Sequence, residues 1–83
     1  MELLYFAWVR EAVGVGQEHV DPPETVDTVA DLIGWLSAQS PGHAAAFADP
    51  AKLRAAIDQR FVPLDTPLNG ATEVALFPPV TGG

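Results

Sequence analysis

The last six residues, Pro78-Pro79-Val80-Thr81-Gly82-Gly83, carry the best-placed reactive group of the sequence, and it is not a side chain. Pro78 and Pro79 hold φ near about −65° and offer no donor to a sheet ladder. Pro79 also biases Pro78 toward extended geometry, and β-branched Val80 and Thr81 favour extension too. Gly82 and Gly83 have no side chains, so a narrow channel can admit them with protein atoms close on every side. Fully extended, six residues reach at most about 20 Å. The group delivered is the carboxylate of Gly83. Unmodified, it is a poor electrophile. Adenylation by ATP makes it an acyl-adenylate with a good leaving group. Attack by a sulfur nucleophile then ends in a thiocarboxylate, and attack by an amine ends in an amide. The competing reading treats the two glycines as a linker remnant with no chemistry.

Other residues offer less. His19 and His43 are the only imidazoles and fall in different segments, so their spacing gives no support to a metal site, and packing or surface roles explain them better. Asp58 and Asp65 are the right type for paired acid–base work, but no nucleophile accompanies them. Arg10, Lys52, Arg54 and Arg60 are candidate anchors for partner carboxylates, against the simpler reading of solvated charges.

Composition narrows the function further. The 83 residues fit one domain, and with no cysteine there is no disulfide, thiolate metal site or cysteine nucleophile. Eleven acidic residues against four basic ones give a formal net charge of −7, spread singly along the chain. Nucleic acid and anionic membranes are therefore poor partners, and a basic protein surface is the natural complement. No apolar run approaches the roughly 20 residues needed to cross a bilayer. The opening "MELLYF" lacks a basic leader region, so a cytoplasmic location is expected.

The elements that must carry the tail are short. "ELLYFAWV" (Glu2–Val9) reads as an inner strand, apolar on both faces. Gly14 and Gly16 mark a turn or short helical connection, and Glu18–Asp21 a second strand ended by Pro22–Pro23. Val29, Leu32, Ile33 and Leu36 fall on one face of a helix begun by a Thr28–Asp31 capping pair and flanked by Trp35; Pro41–Gly42 stops it. His43–Pro50 reads as a helical turn or loop cover. Leu53, Ala55 and Ile57 alternate as a half-exposed strand, although Ala56 breaks the pattern and a short helix is the alternative. Thr72–Phe77 is the last strand. The order β-β-α-β(-β)-β predicts an α+β, β-grasp (ubiquitin-like) domain over residues 1–77. Its mixed sheet of four to five strands would pack on one main helix, with the first and last strands as the parallel centre. Residues 78–83 form the extended tail. Phe6, Trp8 and Phe77 belong either to the core or to an apolar patch on the uncovered face, with Arg10 and Arg60 as possible interface cations.

Three stretches, "LYFAWVREAVG", "TVADLIGWL" and "DTPLNGATEVALFPPVTGG", together resemble the MoaD-type ubiquitin-like sulfur carriers, the small subunits of molybdopterin synthase. The closing "EVALFPPVTGG" is the specific part. The resemblance weakens across Gln17–Glu24 and Gln39–Lys52. It departs from the family at Asp58, where relatives often have asparagine, and before Glu73, where Asn69–Gly70 stands in for a Gly-Asp pair.

The resemblance implies a β-grasp fold and no permanently bound cofactor. It also implies an E1-like adenylyltransferase (MoeB type) that activates Gly83 with ATP, and a sulfurtransferase that leaves Gly83 as a thiocarboxylate. A large synthase subunit (MoaE type) would take up the tail in a heterotetramer and supply the catalytic residues. There the sulfur would pass to cyclic pyranopterin monophosphate and build the molybdopterin dithiolene. On this chain Gly83 bears the sulfur, Gly82 shares the channel, and Pro78, Pro79, Val80 and Thr81 feed them in. Two alternatives stand beside it: a sulfur carrier for thiamine, cysteine or tRNA thiolation, and a ubiquitin-like interaction domain whose glycines are incidental.

Overall fold

The computed structural model describes residues 1–79. Strand β1 (Glu2–Tyr5) leads into helix α1 (Ala7–Val13) and then β2 (Gln17–His19). Helix α2 (Val29–Ser37), helix α3 (Pro41–Ala46) and a 3₁₀ turn (Pro50–Lys52) precede β3 (Arg54–Ile57), β4 (Arg60–Val62) and β5 (Glu73–Phe77). The five strands lie in the order β2-β1-β5-β3-β4. Parallel β1 and β5 form the centre, and the other pairings are antiparallel. The β-grasp expectation and its parallel centre are borne out.

Alternation along the central strands decides what the core receives. Leu3, Tyr5, Val74 and Leu76 are buried toward the helices, while Leu4, Ala75 and Phe77 turn to the opposite face. The helical stripe of Val29, Leu32, Ile33 and Leu36 is fully covered by that inner face. The capping box forms as expected: Thr28 accepts from the Asp31 N–H (3.1 Å), and Asp31 accepts from the Thr28 N–H (3.2 Å). The chain after β4 then crosses the start of α2. Val29 and Ala30 donate to the carbonyls of Thr66 and Leu64, so two first-turn N–H groups with no intrahelical acceptor are satisfied.

The expected first strand through Val9 is wrong in its second half. The strand stops at Tyr5, and the chain turns at Ala7, whose φ of 52° is left-handed. Val9 is then buried on α1, with Ala12 and Val13 packed three and four residues on, and Gly14 at φ 101° closes the helix. The 3.6-residue spacing of these three outweighs the aromatic strand pattern of "YFAW". Two smaller helices thus supplement α2. Gly42 lets α3 approach α1: a Cβ there would sit 2.5 Å from the Ala12 carbonyl oxygen.

The stretch read as one half-exposed strand is extended, as expected over the short-helix alternative, but it divides into β3 and β4, and Leu53 precedes β3 as the end of the 3₁₀ turn. The two-residue turn between β3 and β4 has Asp58 and Gln59 at φ 46° and 72°. Ala56 broke the alternation because it faces the side of the sheet opposite Ala55 and Ile57 and is nonetheless buried.

Candidate functional site

The root of the tail leaves the end of β5, where Phe77 is followed by half-buried Pro78 and Pro79. Val80, Thr81, Gly82 and Gly83, which carry the proposed chemistry, lie outside the described residues. What the structure describes is the surface from which they depart.

Register sets that surface. Leu4 pairs with Ala75, Ala75 with Ala56, and Ala56 with Phe61, so one row crosses four strands on the face away from the helices. The two central alanines keep the row shallow. Phe61 stands over it with 81% of its surface exposed, and its ring lies 5.6 Å from that of Phe77. Phe6, at the end of β1, is also exposed and borders the same trough of about 440 Å³, which Pro78 and Pro79 close at one end. The row and its three phenylalanines make a contiguous apolar surface on an acidic domain, the kind of surface that a protein partner can cover.

Charges lie at both ends of the face. Glu2 pairs in register with Glu73 and His19 at the end far from the tail. His19 sits 2.8 Å from Glu2 and 3.2 Å from Asp21. Hydrogen bonding to His19 holds the Glu2 carboxyl below its ordinary value, and the Glu2 bond raises His19. At the tail end Arg54 lies opposite Phe77 and donates to the Leu53 carbonyl at 2.8 Å.

The five suspected interface residues do not share one surface. Phe6 and Phe77 line the sheet-face trough. Trp8, one residue beyond the turn at Ala7, lines a separate trough on the other side of Pro78 and Pro79. Arg60 pairs with Ile57, which places it on the helix side of the sheet, opposite in direction to Phe61. Arg10 packs its guanidinium over Gly16 on α1's exposed side. Phe61, the most exposed large apolar residue described, was missed. The signal lay in the turn: once Asp58–Gln59 is a two-residue hairpin loop, Phe61 must face the same way as Ala56. Asp-Gln lacks the usual glycine of such loops, which hid it.

The remaining candidates have structural work. His19 and Glu18 are adjacent on β2 and therefore point to opposite faces. Glu18 turns inward to His43, whose Nε2 lies 2.7 Å from Glu18 Oε2. The two histidines cannot share a metal, and among the described residues no group of three or more His, Asp or Glu could hold one. Asp58 accepts from the Thr72 and Glu73 N–H groups (3.2 and 2.9 Å), tying the β3–β4 turn to the start of β5. Asp65 is exposed. No helix among the described residues is long and apolar enough to cross a membrane.

With this geometry in place, comparison with known proteins is specific. The ThiS family model matches residues 3–83. The chain is similar to the molybdopterin synthase sulfur carrier subunit of Escherichia coli (strain K12), with 45% identity over 83 residues, covering 100% of this chain and 99% of that one. The subunit of the same description from Haemophilus influenzae is 34% identical over 84 residues, at 100% and 99% coverage. Among solved structures, SAMP1 from Haloferax volcanii superposes with a TM-score of 0.69 at 27% identity, covering 100% of this chain and 98% of that one.

Proposed function

This chain belongs to the ThiS family of sulfur carriers, and we propose that its reacting group is the carboxylate of Gly83. Its family-level role is that of a MoaD-type carrier in molybdenum cofactor biosynthesis. Within that role a MoeB-type adenylyltransferase joins Gly83 to AMP and releases pyrophosphate. The terminal sulfur of a sulfurtransferase persulfide displaces AMP to give an acyl disulfide, and a thiol then cleaves its S–S bond, leaving Gly83 as a thiocarboxylate and the thiol in a disulfide. The large MoaE-type subunit then takes up the tail, and the sulfur passes to cyclic pyranopterin monophosphate on the way to the dithiolene.

The domain's own contribution is recognition and delivery. Phe6, Phe61 and Phe77 supply the apolar docking face, and Pro78–Pro79 stand at its edge, where the sequence leads on to Gly83. The observation that carries this reading is the relatedness over the whole chain, Gly82 and Gly83 included, to two sulfur carrier subunits. The net charge of −7 and the exposed Phe61 support a basic protein partner with an apolar centre.

Mass spectrometry tests the chemistry directly. Incubated with adenylyltransferase, ATP and a sulfurtransferase with its sulfur source, the protein should gain the mass difference of one oxygen replaced by sulfur, at its C-terminus. A variant with one extra residue after Gly83 should gain nothing. Sulfur incorporation into the untrimmed variant would rule out the carrier reading. The thiocarboxylate form, mixed with the large subunit and the pterin precursor, should yield dithiolene product. A stable complex with no product would assign the carrier to another pathway.

A further inference from the structure

The tail root is a ridge between two troughs. Pro78 and Pro79 line the sheet-face trough with Phe6 and Phe77, and they also line a trough of about 600 Å³ walled by Trp8. The left-handed backbone of Ala7 produces this division. It sends Phe6 to the sheet face and Trp8 toward α3, and both remain exposed, at 49% and 39%. A left-handed residue other than glycine is held against a cost of about 1 kcal/mol or more.

The second trough has its own chemistry. Ala45, Ala48 and Ala51 are exposed along it, so its floor is cut back and leaves room beneath the indole of Trp8. Asp49 and Lys52 flank it, and Asp49 is held in place by accepting from the Ala51 N–H at 3.1 Å. An aromatic wall over an alanine floor, framed by one acid and one base, is the shape of a receptor for a single apolar side chain from outside.

Area argues for the occupant. A stable subunit interface buries about 800 Å² on each partner, roughly a sixth of the 4910 Å² this domain exposes. The sheet-face row is bounded by Glu2 and Glu73 at one end; at Phe77 it continues both along Phe61, Val62 and Pro63 and onto the proline ridge from which the tail departs. A partner that encloses the tail must cross that ridge, and it then meets Trp8.

Resting on the function proposed above, we infer that the Trp8 trough is a second docking site for the large synthase subunit. It receives an apolar side chain of that subunit and completes a collar around the tail root. The sheet face supplies one side of the collar and Trp8 the other, so the tail is gripped and aimed where it leaves the domain.

The test uses the full chain and the purified large subunit. Trp8→Ala should weaken binding by about tenfold or more, and Trp8→Phe, which keeps an aromatic wall, by no more than about threefold. Both variants should keep the free domain's melting temperature within a few degrees, because Trp8 is partly exposed. In a Trp35→Phe background Trp8 is the sole tryptophan, and its emission should shift to the blue on complex formation. Wild-type affinity in Trp8→Ala, or unchanged Trp8 emission in a complex that Phe61→Ala weakens, overturns the second site and leaves the sheet-face docking intact. Absence of binding by the wild-type chain would instead count against the functional reading itself.

Discussion

His43 Nε2 and Glu18 Oε2 lie 2.7 Å apart, joining helix α3 to strand β2 across 25 positions of sequence. The same carboxylate oxygen accepts from the Tyr5 hydroxyl at 2.6 Å, and the far side of the imidazole, Nδ1, meets Ser40 Oγ at 2.6 Å. Ser40 Oγ also accepts from the His43 N–H, and the Glu18 carboxylate, which can only accept, takes the hydrogen bond from Nε2–H. This chain of bonds fastens α3, which contributes Ala45 to the floor of the Trp8 trough, to the edge of the sheet.

Acid should loosen that fastening. Burial pushes the Glu18 carboxyl up, but the hydrogen bonds from Tyr5 and His43 outweigh it and hold the group below its ordinary value of 4.5. A carboxyl depressed in the folded state stabilises the fold above its unfolded value and ceases to do so as pH falls through its folded value. Wild type should therefore melt at a higher temperature than Glu18→Gln at neutral pH. The gap should narrow below about pH 4.5. Melting curves of both proteins across that range check it, and a gap independent of pH would refute it.

Tyr5→Phe keeps the buried ring and removes only the bond to Glu18. The bond is to a charged carboxylate, so the loss should be about 1.5–3 kcal/mol at neutral pH, read by denaturant titration. Burial of the hydroxyl and its bond to Glu18 both raise the Tyr5 pKa far above the ordinary phenol value, so it stays a donor throughout the accessible pH range.

Gly42→Ala should destabilise by about 1–3 kcal/mol. The obstruction is a backbone carbonyl, that of Ala12, which cannot rotate aside as a side chain could. Amide exchange should show the loss centred on the α1–α3 contact, with the β1–β5 ladder retained until global unfolding.

Gln59→Gly should stabilise by about 0.5–1 kcal/mol. Gln59 is exposed and sits at φ 72° in the β3–β4 turn, a conformation that glycine adopts freely. A fall in melting temperature would mean that the Gln59 side chain has a role in the turn beyond its backbone.

Phe61→Ala should leave the melting temperature within a few degrees of wild type, since the side chain is 81% exposed. Affinity for the large subunit should fall by about tenfold or more, measured by titration calorimetry. Unchanged affinity would remove the sheet face from the docking surface.

Much of this protein is determined by local patterns that the sequence displays directly. Val29, Leu32, Ile33 and Leu36 make an amphipathic helix wherever they are placed, and Thr28 with Asp31 can only begin one. The alternation of "TEVALF" and the punctuation of "PPVTGG" likewise mark a strand that hands over to a bare, stiff tail, because proline and glycine act on their own backbone. The direction of Phe6, Trp8 and Phe61 is a different matter. It depends on where a strand ends and on which register a hairpin takes, and both are set by contacts between distant segments. Ala7 is left-handed where β1 gives way to the helix that buries Val9, and Phe61 faces the same way as Ala56 because Asp58 and Gln59 make a two-residue turn. The glycine-ended C-terminal sequence, on which the proposed chemistry rests, can be read in the linear chain. The two-sided surface at its root came from tertiary packing, which alone brings β1, β4, β5 and α3 around Pro78 and Pro79.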